Sequence, residues 1–125
     1  MFRDTKAFSG FSVDDVLRAQ HFYGDTLGLD TSEENGILTI HLGDGHDVIA
    51  YPKDNHEPAT FTILNFPVDD IESAVDALSE RGISFERYDD MASDFDERGI
   101  FRGGGPPIAW FKDPAGNVLS VIKVD

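Results

Sequence analysis

The sequence predicts an α+β fold in which two βαβββ modules form one domain of 125 residues. The main observation is a repeated sequence motif, Phe-x-Val-Asp-Asp-(Val/Ile)-x-x-Ala, found at residues 11–19 and again at residues 66–74. Each copy follows an apolar stretch with strand character and opens a segment with helical spacing. A repeat of this length indicates a duplicated supersecondary unit. The apolar content of 40%, with ten Phe, is typical of a folded globular protein.

Module one, about residues 5–52, begins with a strand at 7–13. Asp14 or Asp15 is expected to cap the following helix, because a carboxylate accepts hydrogen bonds from the free N–H groups of the first turn. Apolar residues then recur at helical spacing until Gly28, which suits the left-handed position that ends a helix. Turn signals divide the remainder into three predicted strands: 29–34, 37–42 and 47–51.

Module two, about residues 59–125, repeats this order after a polar linker at 52–58 that contains two prolines. Asp69 lies three residues before Glu72, which predicts a variant of the capping box. The helix should end at Gly82. The predicted strands are 60–68, 83–88, 108–111 and 118–122.

The modules differ in one connection, which runs from residue 89 to residue 105. It begins with acidic residues and ends in Arg-Gly-Gly-Gly. Loops longer than roughly 12–15 residues are commonly lids, binding loops or disordered segments. Two interpretations of this connection therefore stay open: it could cover a pocket, or it could be a mobile surface loop.

Charge and composition exclude several classes of partner. The formal net charge of −14 gives a surface that repels nucleic acid phosphates and anionic lipid heads. No stretch approaches the roughly 18 apolar residues of a membrane span. The chain has no cysteine, which excludes disulfides and thiolate ligands and suits a cytoplasmic protein. We therefore expect an acidic cytoplasmic protein that contacts neither nucleic acid nor membrane.

Several motifs resemble one known superfamily. A Val-x-Asp precedes a helix that carries Phe22-Tyr23 and Leu27-Gly28, and residues 111–117 read Phe-Lys-Asp-Pro-Ala-Gly-Asn. These features are similar to the first module and the closing hairpin of the vicinal oxygen chelate superfamily, which includes glyoxalase I, extradiol dioxygenases, fosfomycin resistance enzymes and bleomycin-binding proteins. The resemblance covers nearly the whole chain. It implies two βαβββ modules whose sheets curve around a shared cavity.

The resemblance also marks the positions where metal enzymes of the superfamily carry their ligands. These positions are occupied here by Phe8, Ile63 and Ser120, and in module one by a residue of the segment 49–51. None is a usual ligand of a divalent metal, which favours imidazole nitrogen or carboxylate oxygen. We therefore expect no metal and no cofactor at the family site.

Other chemistry finds less support in the sequence. His41 and His46 flank a Gly-Asp-Gly turn and could approach each other across a hairpin, so a cluster of three histidines stays open. The interpretation preferred for all four histidines is a surface position. Three serines, Ser9, Ser12 and Ser120, have no His and Asp at a spacing that indicates a catalytic triad.

Strand alternation and the resemblance together predict the lining of an apolar cavity with a few polar groups, which is the usual composition of a small-molecule site. Asn65 can orient a ligand because its amide both donates and accepts hydrogen bonds. Trp110, the single tryptophan, offers a stacking surface. The predicted substrate-binding residues are Phe8, Ile63, Asn65, Ile108, Trp110 and Ser120.

The preferred function is that of a metal-free protein, similar to glyoxalase and bleomycin resistance proteins, that binds a small organic molecule. A first alternative is a metal-dependent lyase or dioxygenase of the same superfamily with relocated ligands. A second alternative is a structural or regulatory dimer with a vestigial pocket. By resemblance we expect a homodimer, with its modules either paired within one chain or exchanged between chains.

Overall fold

The computed structural model describes residues 1–124, which form two compact units divided between Glu57 and Pro58. Each unit contains one four-stranded mixed sheet and one α-helix, so the predicted α+β class with two βαβββ modules is confirmed. No helix in residues 1–124 is long and apolar enough to cross a membrane. The elements of the first unit are β1 (Ser9–Val13), α1 (Val16–Gln20), a π-helix (His21–Thr26), β2 (Asp30–Glu34), β3 (Ile37–His41), a 3₁₀ helix (Gly43–Gly45) and β4 (Asp47–Pro52).

The first sheet has the strand order β1-β4-β3-β2, with β1 parallel to β4 and the other neighbours antiparallel. Alternate side chains of these strands face α1. Val13, Leu38, Ile40 and Ala50 are fully buried there. The hairpin between β2 and β3 turns at Asn35-Gly36, where both residues have positive φ angles of 54° and 80°. This pair was predicted as a tight turn, because a type I′ turn requires positive φ at both central positions.

The first helix departs from the prediction of one α-helix ending at Gly28. Asp15 caps α1, and its carboxylate accepts from the N–H of Arg18. After Gln20 the backbone widens into a π-helix, in which the N–H of Leu27 donates to the carbonyl of Phe22. The extra residue in this turn lets two consecutive aromatic side chains, Phe22 and Tyr23, bury against the sheet.

The second unit repeats the topology, with the strand order β5-β8-β7-β6 and β5 parallel to β8. On the face toward α2, Ala109, Phe111 and Leu119 are fully buried. Its elements are β5 (Thr62–Val68), α2 (Ile71–Glu80), β6 (Phe85–Glu86), a 3₁₀ helix (Asp89–Asp94), β7 (Ile108–Lys112) and β8 (Val118–Lys123).

Two predictions in this unit were wrong in detail. The cap of α2 is Asp70, whose carboxylate accepts from both the N–H and the hydroxyl of Ser73, so the box expected between Asp69 and Glu72 does not form the cap. These bonds lower the pKa of Asp70, the one from the Ser73 N–H most. The strand expected at 83–88 shortens to Phe85–Glu86, and Phe101 pairs with Ile108, the position of β7 that residue 88 would face in the continued register.

Candidate functional site

One row of cross-strand neighbours runs across the face of the second sheet that lies opposite α2. Glu86 pairs with Trp110, Trp110 pairs with Ser120, and Ser120 pairs with Asn65, so all four strands contribute. Directly paired residues point to the same face of a sheet. Three of the residues predicted to line the cavity, Asn65, Trp110 and Ser120, therefore lie side by side.

Asn65 and Ser120 form the polar end of this row. The Ser120 hydroxyl, which is 0% exposed, donates a hydrogen bond of 2.5 Å to Oδ1 of Asn65. Asn65 itself is exposed. Because the hydroxyl occupies one acceptor site of Oδ1, the Asn65 amide is held in one orientation with its NH₂ group available to a ligand.

A β-bulge changes which residues of β5 join this face. The pairing with β8 shifts between Thr62 and Leu64, so that Ile63 has no partner of its own. Thr62 pairs with Val118, two residues before Ser120, and so comes to the face of Trp110. Trp110 confirms this placement, because its Nε1–H donates to Thr62 Oγ1 at 3.1 Å. Strict alternation, used in the sequence prediction, does not hold through a bulge.

An aromatic cluster surrounds Trp110. The ring of Trp110 lies 5.4 Å from Tyr88, 6.1 Å from Phe95 and 5.7 Å from Phe101, measured between ring centroids. All four residues are half-buried, so the cluster keeps part of its surface in contact with solvent. Burial, and then the nearby Glu86 carboxylate, raise the pKa of Tyr88 above its ordinary value, which keeps the phenol neutral.

The connection at residues 89–105 supplies two members of this cluster and is ordered by its own contacts. Phe101 bridges Phe95 on one side and Ile108 of β7 on the other. Between the two phenylalanines the chain turns at Gly99, with a φ angle of 91°, and inserts the fully buried Ile100. The segment therefore packs onto the face that carries Trp110, and its role as the cover of a pocket stays a prediction.

Asp96 organises the turn of this segment. Its Oδ1 accepts from the N–H groups of Arg98 and Ile100, and its Oδ2 accepts from Nε of Arg102 at 3.1 Å. Burial of Asp96 alone would raise the pKa of its carboxyl group. The hydrogen bonds from Ile100 and Arg102 outweigh burial, so the pKa of Asp96 lies below its ordinary value.

Two arginines tie the same segment to α2. Arg102 Nη2 lies 2.7 Å from Glu72 Oε1, and Arg98 Nε lies 3.0 Å from Asp76 Oδ1. Each side chain in these pairs is about half exposed, so solvent screens both pairs and each contributes little to stability. No signal in the sequence indicated the two acidic partners of Arg102, Glu72 and Asp96.

The residues at the family's metal positions have other surroundings. Phe8 lies just before β1 and is 66% exposed, Ile63 occupies the bulge, and Ser120 bonds to Asn65. Within residues 1–124, no group of three or more histidine or carboxylate side chains is placed to hold a metal ion. A phenyl ring, an alkyl chain and a neutral hydroxyl do not fit a divalent cation.

The histidines form separate contacts. His21 pairs with Asp25 at 2.8 Å, and Nδ1 of His56 lies 2.6 Å from the hydroxyl of Ser12. His41 contacts Asp47 and Ser32. The cluster of three histidines that the sequence left open is therefore absent from the part of the chain that the structure describes.

Sequence reasoning found Asn65, Trp110, Ile108 and Ser120 on this face but missed the residues that complete it. Ile108 is half-buried and lies two residues before Trp110 on the same face of β7. The signal that was overlooked is aromatic content within an otherwise acidic and glycine-rich connection. The residues missed are Thr62, Tyr88, Phe95 and Phe101.

Comparison with known proteins agrees with this architecture. The family model described as Glyoxalase/Bleomycin resistance protein/Dioxygenase superfamily matches residues 7–121. No curated protein sequence matches the chain significantly.

Solved structures share the fold at low identity. A glyoxalase family protein from Enterococcus faecalis is 22% identical with a TM-score of 0.69, and the match covers 98% of this chain and 99% of that one. A superfamily member from Sphaerobacter thermophilus is 24% identical with a TM-score of 0.68, covering 96% and 98%. The fosfomycin resistance protein FosX from Mesorhizobium loti is 12% identical with a TM-score of 0.66, covering 98% and 93%.

Proposed function

The chain belongs to the glyoxalase/bleomycin resistance protein/dioxygenase superfamily, and we propose that it binds a small planar organic molecule without a metal. The proposed site is the face of module two that carries Trp110. The superfamily scaffold hosts several chemistries, so the proposal depends on the residues of this face and not on the fold.

The observation that carries the proposal is the combination of aromatic and polar groups on one face. Trp110 lies within a half-buried aromatic cluster, and the oriented Asn65 amide lies two strands away in the same row. The aromatic rings offer area on which a ligand can stack, and the fixed amide can orient that ligand by hydrogen bonding. Small-molecule sites commonly combine these two kinds of group.

The charge of the protein favours one class of ligand. With a net charge of −14, the surface attracts cations over distances of about one Debye length, roughly 8–10 Å. Aromatic faces also attract cations through the ring quadrupole. We therefore expect planar cationic compounds to bind better than neutral or anionic compounds of the same shape.

The experiment combines metal analysis with ligand binding. Purified protein is analysed for zinc, nickel, iron and manganese, and a set of planar aromatic compounds is screened by Trp110 fluorescence. We expect substoichiometric metal and quenched or shifted emission. Stoichiometric metal would instead favour the metal-dependent lyase or dioxygenase, which a methylglyoxal–glutathione assay then tests.

Calorimetric titration of a variant tests the position of the site. Trp110→Ala should weaken binding of each hit by about 1–3 kcal/mol if the ring stacks on the ligand. Phe2→Ala serves as the control, because Phe2 is 75% exposed and lies outside the cluster. If Trp110→Ala binds every hit as well as the parent protein does, this face is not the site. A screen without hits would favour a vestigial pocket.

We also propose that the protein is a homodimer, as its resemblance to the superfamily implies. Phe8 and Phe61, which are 66% and 69% exposed, leave apolar surface available for a partner. Light scattering at micromolar concentration should give twice the mass of one chain. A monomeric mass would refute this proposal.

A further inference from the structure

Three side chains on the first sheet form a connected array that the proposed ligand site does not use. Nδ1 of His41 lies 2.9 Å from Oδ1 of Asp47, and Nε2 of His41 lies 3.1 Å from Oγ of Ser32. From these contacts we propose that Ser32, His41 and Asp47 form a nucleophilic serine site that hydrolyses small esters.

The pairing of the strands produces this array. Ser32 pairs with Thr39, and His41, two residues further along β3, pairs with Asp47 of β4. Paired residues and residues two apart share a face, so the three side chains project from the same side of the sheet, opposite α1. They are separated by 6 and 9 residues in the sequence, without the spacing of a known triad motif.

The chemistry of the three groups fixes the direction of each hydrogen bond. A carboxylate can only accept, so Nδ1 of His41 donates to Asp47. In the neutral imidazole Nε2 then carries the lone pair, and the Ser32 hydroxyl donates to it. This is the arrangement in which a histidine acts as general base for a serine nucleophile, held in the correct tautomer by a carboxylate.

The reaction balances with water as the second reactant. Ser32 Oγ forms a bond to the ester carbonyl carbon while its proton moves to His41 Nε2. The carbon–oxygen bond to the alcohol then breaks, and the alcohol leaves with that proton. Water attacks the acyl group on Ser32, giving a proton to Nε2, and the acid leaves as Ser32 Oγ recovers the proton. Asp47 acts as a positioning residue for the imidazole.

The edge of the sheet offers a donor to the developing oxyanion. The N–H of Leu42 donates to the carbonyl of His46, which makes the neighbouring pair of His41 and Asp47 a non-hydrogen-bonded one. Hydrogen-bonded and non-hydrogen-bonded pairs alternate along antiparallel strands, so the backbone N–H and C=O groups of Ser32 bond to those of Thr39 in β3. The N–H of Glu33, the residue after the nucleophile, therefore points away from β3 at the edge of the sheet.

A hollow lies beside Asp47, at the carboxylate end of the array, and its wall includes neither Ser32 nor His41. It is an open space of about 610 Å³ whose wall includes Lys6, the exposed Phe8 ring, His46 and Asp47. Asp30, the cross-strand partner of His41, and Asp44 add negative charge around the site. Since these carboxylates repel anions, the substrate class is that of small neutral or cationic esters.

The test uses phenylmethylsulfonyl fluoride, a neutral aromatic reagent for activated serines, and 4-nitrophenyl acetate. The chain has no cysteine, so no thiol competes for either reagent. We expect peptide mapping to locate the sulfonyl group on Ser32. Ester hydrolysis should fall by about 10²-fold or more in Ser32→Ala and in His41→Ala, the range that general base catalysis contributes.

Matched variants separate this site from nonspecific reactivity and from structural effects. Ser79→Ala, at an exposed serine of α2, should react as the parent does. Asp47→Asn should lower kcat about tenfold or more at constant KM, and Asp47→Glu should restore part of the rate. Labelling of Ser12 or another residue, or equal hydrolysis by Ser32→Ala and the parent, would overturn the proposal.

Discussion

The buried Ser120 hydroxyl donates to the exposed amide oxygen of Asn65 across the parallel pair of β8 and β5. The same hydroxyl lies where the superfamily resemblance places a metal ligand. The two partners differ in exposure, since Ser120 is 0% exposed while Asn65 reaches solvent. Because of this difference, we expect loss of the Asn65 amide and loss of the Ser120 hydroxyl to change the free energy of unfolding by different amounts.

Asn65→Ala should destabilise the protein more than Ser120→Ala does. Removing the amide leaves a buried hydroxyl unsatisfied, which costs about 1–3 kcal/mol, whereas removing the hydroxyl leaves an amide that water can satisfy. The double variant should therefore be less destabilised than the sum of the two single variants. Urea unfolding of all four proteins measures the coupling. Additive effects would show that the bond does not contribute to folding.

Thr62→Val should change the environment of Trp110. The substitution keeps the shape of the side chain but removes the acceptor of the indole N–H, so the free energy of unfolding should fall by about 0.5–1.5 kcal/mol. The emission maximum of the single tryptophan should shift as well. Thr62→Ser, which keeps the hydroxyl, is the matched control. An unchanged spectrum in Thr62→Val would contradict the placement of Thr62 by the bulge.

Gly103→Ala should disturb the aromatic cluster from outside it. A Cβ atom at Gly103 would lie 2.5 Å from Cζ of Phe101 and 2.8 Å from the Asp94 carboxyl carbon, so the Phe101 ring must move. We expect a loss of about 1–3 kcal/mol in unfolding free energy, together with altered Trp110 emission. Gly43→Ala is the control, because a Cβ atom there meets nothing within 4 Å. Equal stability of both variants would refute this packing.

Asp96→Asn should remove a pH-dependent contribution to stability. The pKa of Asp96 is lower in the folded protein, so its contribution is present above the unfolded value of about 3.9 and is lost as the pH falls through the folded value. At pH 7 the free energy of unfolding of the parent protein should exceed that of Asp96→Asn by about 1 kcal/mol. This difference should disappear in more acidic solution.

Unfolding curves between pH 7 and pH 2 measure this change. Asp54→Asn, at an exposed residue near the end of the first unit, is the control and should leave the curve unchanged. A difference between Asp96→Asn and the parent that persists undiminished at the lowest pH would assign the effect of Asp96 to packing.

Local patterns were sufficient for much of the fold. The repeated sequence motif predicted the order of elements in both units, and positive φ angles at Gly28 and Gly82 agree with the predicted helix ends. The alternation in β7 correctly separated the buried Ala109 and Phe111 from Ile108 and Trp110. These features depend on residues close in sequence, whose side chains report the period of one helix or strand.

Tertiary structure alone decided which side chains meet at both proposed sites. Thr62 reaches Trp110 only because a bulge shifts β5 against β8, and Phe101 reaches it only because the connection folds back along β7. Ser32 and Asp47 meet at His41 through the registers of two separate strand pairs. The alternation of apolar and polar residues along a strand predicts the side of the sheet on which each side chain lies. It does not predict the register between strands, which is set by contacts between residues distant in the chain.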